Sequence, residues 1–239
     1  MVTTADRVHH QHPQRRSARV LIVEDHCLIA QGLELALGRE GMDVLSGDSG
    51  SAEAILEAAR THRPDVVLLD LNLGESVGDG LVLIEPLRAL GGAVIVVTAV
   101  TDRAHLGACV EAGATAVVSK SQPFEHVLRT ISLVLEGLPA QSLSIHLELL
   151  EELRRQRQAD RERLAPFDRL TRRERHVLAA LVDGGTAEGI AAASYVSLAT
   201  VRSQIQSVLR KLGVNSQVAA VAEAHRAGWS PPISSQRVS

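Results

Sequence analysis

The chain has 239 residues, 45% of them hydrophobic and 2% aromatic, with a net charge of −3. This is a soluble, globular composition with room for one or two domains whose cores are built from Leu, Val, Ile and Ala. The longest apolar run, "AVIVVTAV" at 93–100, is too short to cross a bilayer, and the polar N-terminus "MVTTADRVHHQHPQRR" has no apolar stretch of the signal-peptide kind. The expected location is therefore the cytoplasm, with no membrane partner.

Two cysteines, Cys27 and Cys109, have no CxxC spacing, which fits a reducing compartment and offers no metal framework; both read as small core residues. Charge is unevenly distributed. Residues 18–136 hold eight Lys and Arg against seventeen Asp and Glu, whereas 165–239 hold nine against five. The basic C-terminal part is the candidate for binding a polyanion such as double-stranded DNA.

Residues 1–17 read as a disordered leader; "HHQH" at 9–12 falls there, with no fixed partners that would make it a metal site. From Arg19 to about Glu136, β-branched runs ("RVLIVED", "MDVLS", "DVVLLDL", "AVIVVTA", "TAVVSK") alternate with helical stretches such as "CLIAQGLELALGRE" and "EHVLRTISLVLEG". Five strands alternating with five helices predict an α/β doubly wound, five-stranded parallel sheet with helices on both faces. In such sheets functional groups gather outside the carboxyl ends of the strands.

The strand ends carry Glu24 and Asp25, Asp70, Thr98, and Ser119 with Lys120. Three carboxylates held together repel one another and call for a cation, and hard oxygen ligands with open water positions suit Mg²⁺. Glu24, Asp25 and Asp70, with the Asn72 backbone carbonyl, form the expected metal site. A carboxylate beside a metal can also attack phosphorus, with Thr98 and Lys120 holding the phosphoryl oxygens. His26, beside the acidic pair, reads as a helix-start or rim residue.

In "VLIVEDH", "VVLLDLNLG", "VVTA" and "GATAVVSK" the chain resembles the receiver domain of two-component response regulators, a flavodoxin-like fold. The resemblance implies a phosphoacceptor at Asp70, a metal pair at Glu24 and Asp25, a switch Thr98 and Lys120, and a sensor histidine kinase as phosphodonor. Departures are Gly74 where the family usually has Pro, a longer loop "GESVGDG", and Val117 where an aromatic switch residue usually stands.

"LSIHLELLEELRRQRQADRERL", residues 143–164, is charged, with Leu143, Leu147, Leu150 and Leu153 predicted on one helical face as a spacer or short dimer seam. Pro166 and "LTRRE" then open a new domain, with Thr171 as N-cap and Glu174 completing a capping box. Helices are predicted over 172–183, from 186, and from 198 to a stop at Gly213. A tight turn followed by a helix exposing Arg202, Ser203, Gln206 and Arg210 is a helix-turn-helix pattern with donors for phosphates and base edges. Tyr195 and Trp229 read as packing residues.

"LTRRE", "TVRSQI" and "KLGVNSQ" resemble the LuxR-type helix-turn-helix domain. The resemblance implies groove-facing Thr200, Arg202, Ser203, Gln206 and Arg210, with Lys211 near the backbone, and a final helix at 217–228 of the kind used to dimerise. Ala187, Glu188 and Gly189 stand where many members carry Asn-Lys-Glu.

The expected layout is a receiver over 18–137, a helical linker over 138–165, a small all-α DNA-binding domain over 166–231 and a disordered tail over 232–239. Together these resemble a NarL/FixJ-type response regulator, in which phosphorylation of Asp70 controls homodimerisation and DNA binding. One rival is a phosphate-independent interaction module. The other is a phosphatase working through an aspartyl phosphate, but Asn72 stands where that chemistry needs a second acid.

Overall fold

The structure, a computed structural model, describes residues 17–47 and 50–231. The expected leader, Ser17 apart, and the expected tail lie outside the described residues.

Two compact units divide at Arg154 and Arg155. The first is built on strands β1 (Arg19–Val23), β2 (Asp43–Ser46), β3 (Val66–Leu69), β4 (Ala93–Thr98) and β5 (Ala116–Ser119). All pair in parallel, in the order β2-β1-β3-β4-β5, so a switch in strand order falls between β1 and β3. Successive side chains of a strand point to opposite faces. Leu21, Val23, Val67, Leu69, Val94 and Val96 accordingly pack with α2 (Ala52–His62), α4 (Leu81–Ala89) and α5 (Arg103–Glu111). Val20, Ile22, Val66, Leu68 and Ile95 pack with α1 (Cys27–Arg39) and α6 (Phe124–Leu135) on the other face. Both faces are covered, which is why the inner strands read as unbroken apolar runs.

A sixth helix, the single turn α3 (Gly74–Val77), goes beyond the five expected. The long loop after Asp70 is not open. Gly74 and Gly78, at φ +68° and +74°, let the chain turn sharply, and a backbone bridge between Asn72 and Asp79 closes the loop at its base. At Gly80 an added methyl would overlap the Asp70 carbonyl oxygen and meet Leu71 Cα at 3.2 Å.

Cys109 is buried as expected, and burial with the nearby Asp79 charge pushes its thiol up to about 12. Cys27 is exposed rather than in the core, because the first position of α1 faces outward at the sheet's end.

The helix α7 runs Leu143–Asp168, with Pro166 inside it, so the second unit does not open at Pro166 as its composition suggested. The predicted Leu face is also revised. Leu149 and Leu153 are buried at 3% and 7% exposure, while Leu143 and Leu147 are 73% and 57% exposed. A four-residue step from 149 to 153 sets the packed stripe, and the earlier leucines lie off it.

The second unit holds α8 (Arg172–Val182), α9 (Ala187–Ser194), α10 (Leu198–Leu212) and α11 (Gln217–Ala227) around Phe167, Leu178, Ile205, Val208 and the alanines 191, 220, 224 and 227. Each of its helices begins at a hydroxyl that accepts a backbone N–H: Thr171 from Glu174, Thr186 from Gly189, Ser197 from Thr200 and Ser216 from Ala219. Trp229 stacks on Phe167 at 5.6 Å between ring centroids. Tyr195 does not pack: it is 96% exposed and caps α9 with φ +53°, because the turn into α10 needs a left-handed residue there.

Candidate functional site

Parallel register decides which side chains meet at the sheet's end. Val23 pairs with Leu69, so Glu24 and Asp70 emerge side by side, and the Asp70 amide donates to the Val23 carbonyl at 2.9 Å. Thr98 pairs with Ser119, and the Lys120 amide donates to the Thr98 carbonyl at 2.8 Å. Four strand ends thereby surround one cleft of about 600 Å³.

At its floor the Lys120 ammonium donates to Asp70 Oδ2 at 2.7 Å and lies 2.6 Å from Glu24 Oε2. Both carboxylate side chains are only 3% exposed, so this shared cation offsets much of the desolvation cost of burying them. Burial alone would lower the Lys120 pKa; the hydrogen bonds to Asp70 and Glu24 outweigh it and hold the group above the usual lysine value. Asp70 Oδ1 accepts from the Leu71 amide at 2.7 Å. Thr98, nearly fully buried, accepts at its Oγ1 from the Val100 amide at 3.2 Å.

Three carboxylates face one ammonium here, and Glu24, Asp25, His26 and Asp70 each offer a ligand atom within 4.8 Å of the others. His26 stands where expected, at the start of α1 and half-exposed on the rim, and its Nδ1 lies 2.7 Å from Asp25 Oδ1 and 3.1 Å from Glu24 Oε1. Asn72, whose carbonyl was expected to complete the set, lines the cleft. Spacing in the sequence did not announce a second pair at the mouth, where His105 Nε2 on α5 lies 3.4 Å from Asp79 Oδ2.

In the second unit α10 buries Val201, Ile205, Val208 and Leu209 and exposes Thr200, Arg202, Ser203, Gln206 and Arg210. Arg202 pairs with Glu188 of α9 at 3.4 Å. Lys211, expected near the DNA backbone, has a partner within its own unit. It is half-buried, 2.6 Å from Glu174 Oε2, and that carboxylate also accepts from the Thr171 amide and the Ser207 hydroxyl at 2.7 Å each. Burial alone would raise the Glu174 pKa, but the Lys211, Thr171 and Ser207 hydrogen bonds outweigh it and push it down to about 2.

Residues 20–132 match the family described as the response regulator receiver domain, and residues 168–224 match the bacterial regulatory proteins of the luxR family. Similar curated proteins include a probable transcriptional regulatory protein NarL of Mycobacterium tuberculosis, 31% identical over 90% of this chain and 96% of that one. The nitrate/nitrite response regulator protein NarP of Escherichia coli is 31% identical over 87% and 94%. A nitrate/nitrite response regulator homolog of Haemophilus influenzae is 32% identical over 84% and 93%. A receiver sheet with its acidic cleft, followed by a luxR-family helical unit over the full span of such relatives, places this chain in the NarL/FixJ-type family of DNA-binding two-component response regulators.

Proposed function

We propose that Asp70 is the phosphoacceptor of this regulator and that its phosphorylation controls dimerisation and DNA binding. The observation that carries the reading is the position of Asp70: buried at a strand end, with Lys120 at 2.7 Å and Thr98 lining the same cleft. An Asp70 oxygen attacks the phosphorus of a phosphohistidine on a sensor kinase. The P–O bond forms as the P–N bond breaks, and the electron pair leaves with the imidazole nitrogen, which then takes a proton. Lys120 and Thr98 hold phosphoryl oxygens by a charge-assisted bond and a hydroxyl donor.

The donor set fits a hard divalent cation: Glu24, Asp25 and Asp70 would hold Mg²⁺ together with the Asn72 carbonyl, and His26 orients Asp25 and Glu24. When bound, the ion neutralises the charge that builds on the phosphoryl oxygens.

We place the receiver at 18–137, the linker helix after it, and the DNA-binding domain from the end of α7 to 231. Thr200, Arg202, Ser203, Gln206 and Arg210 would meet phosphates and base edges, with two copies setting recognition helices in successive major grooves. The relatives are transcriptional regulators, and the site supports one phosphoryl transfer to Asp70 rather than enzymatic turnover, since Asn72 supplies no second acid. No described helix is long and apolar enough to cross a membrane, and we infer a cytoplasmic protein.

Intact mass after incubation with Mg²⁺ and acetyl phosphate tests the reading. One phosphoryl group gained by the native chain and none by Asp70→Ala supports it; gain by neither, including with a kinase phosphodonor, overturns it.

A further inference from the structure

Two side chains line the cleft over Asp70 without a part in the phosphoryl transfer: Asp79, at the close of the loop after Asp70, and His105, in the first turn of α5. They come from different sides of the mouth. The imidazole Nε2 lies 3.4 Å from Asp79 Oδ2, so the pair ties the loop to α5 across the opening. A lone carboxylate here would repel a phosphoryl group on Asp70, and His105 is the partner the fold supplies.

Backbone hydrogen bonds hold both ends of this tie. Asp79 bridges Asn72 at the base of the loop, and its Oδ1 accepts from the Leu81 amide at 3.0 Å, which leaves Oδ2 for His105. The Gly80 amide on the Leu71 carbonyl at 2.7 Å and the Gly78 amide on the Gly74 carbonyl at 2.8 Å close the loop itself. On the other side the Ala104 and His105 amides donate to Asp102 Oδ1, the N-cap of α5. One turn further along α5, the Asp79 charge adds to burial in raising the Cys109 thiol, so His105 and Cys109 share the helix face that looks onto the loop.

We propose that His105 and Asp79 are positioning residues that narrow this mouth and limit the entry of water to a phosphoryl group on Asp70, so that they set how long the aspartyl phosphate lasts. The proposal rests on Asp70 as the phosphoacceptor. The reaction restrained is hydrolysis: the water oxygen bonds to phosphorus as the bond from phosphorus to the Asp70 oxygen breaks. The electron pair returns to the Asp70 carboxylate, inorganic phosphate leaves, and the proton of water passes to solvent. Holding water away protects a reactive group of this kind. With side chains 27% exposed at His105 and 45% at Asp79, the pair restrains rather than seals, so its loss changes the rate a few-fold.

The test loads the full chain with Mg²⁺ and acetyl phosphate, removes the donor, and follows loss of the phosphoryl group by intact mass at one pH and constant Mg²⁺. His105→Ala and Asp79→Asn, the latter keeping an acceptor for the Leu81 amide, each lose it about threefold faster than native. The double variant is no faster than the quicker single one, because the same tie is broken only once. His105→Arg still pairs with Asp79 and keeps the native rate, a recovery that a merely structural role would not give. Native rates in both single variants overturn the proposal and leave Asp70 standing. Slower loss in His105→Ala overturns it as well, since the imidazole then promotes hydrolysis. Additive acceleration in the double variant, or a His105→Arg as fast as His105→Ala, overturns the pairing. No phosphoryl gain by the native chain or any variant, from acetyl phosphate or a kinase phosphodonor, overturns both readings.

Discussion

Glu174 and Lys211 meet 2.6 Å apart inside the second unit, the one at the start of α8 and the other near the end of α10. The carboxylate belongs at once to the Thr171 capping box and to this ion pair. Glu174→Ala should remove both and leave the Lys211 charge half-buried, costing about 2–4 kcal/mol. The single tryptophan, Trp229, lies in this unit, so its fluorescence during urea unfolding of the full chain isolates the loss.

The same carboxylate sets a pH dependence. Its folded pKa, about 2, lies below the ordinary 4.5, so its stabilisation is present above about 4.5 and fades as the pH falls toward 2. A shift of that size corresponds to roughly 3 kcal/mol. Trp229-monitored stability should therefore fall over this acid window, and the part due to Glu174 should be missing in Glu174→Gln.

Lys120 behaves in the opposite sense. Its folded pKa is raised, so its stabilisation is fully present below 10.5 and lost as the pH climbs through the higher folded value. Lys120→Met strands two buried carboxylates and should cost about 3–5 kcal/mol. Circular dichroism on the full chain would show this, and adding Asp70→Asn to the same chain should recover part of it, since one buried charge is then gone.

Arg202 and Glu188 set a restraint on the exposed face of α10. Glu188→Gln removes a negative charge from the side proposed to meet DNA and frees the guanidinium. Affinity for a nonspecific duplex should rise a few-fold, with the slope of log K against log salt steepening by up to about 0.9 for one added phosphate contact. Fluorescence anisotropy over a salt series measures both, and a fall in affinity would show that Glu188 positions Arg202 productively.

Tyr195 holds a left-handed backbone at φ +53° with its ring in water, so it bears the strain without a packing return. Tyr195→Gly should stabilise the second unit by up to about 1 kcal/mol, read again at Trp229.

The convergence of Glu24, Asp25, Asp70, Thr98 and Lys120 was legible in the sequence because parallel strands bring their carboxyl ends to one edge whatever their order. Helix ends in the second unit were equally legible, since Thr171, Ser197 and Gly213 are local signals acting within a turn. What escaped depends on distant neighbours. Leu149 is buried and Leu147 is not because a glycine on α5, more than forty residues earlier, admits one stripe of α7 and not the other. Pro166 reads as a boundary, yet α7 continues past it, by two residues, to Asp168. His105 pairs with Asp79 only because the loop after Asp70 folds into the turn of α3.

The hydroxyl caps that open α8, α9, α10 and α11 shift where the second unit is vulnerable. Much of its interior is alanine, which buries little apolar surface per residue, whereas each cap contributes about 1 kcal/mol against a total stability of about 5–15 kcal/mol for a typical domain. Sequence drift at Thr171, Thr186, Ser197 and Ser216 would erode this unit as surely as drift in its interior. Four solvent-side positions that look replaceable thus hold the helices that present Arg202 and Gln206.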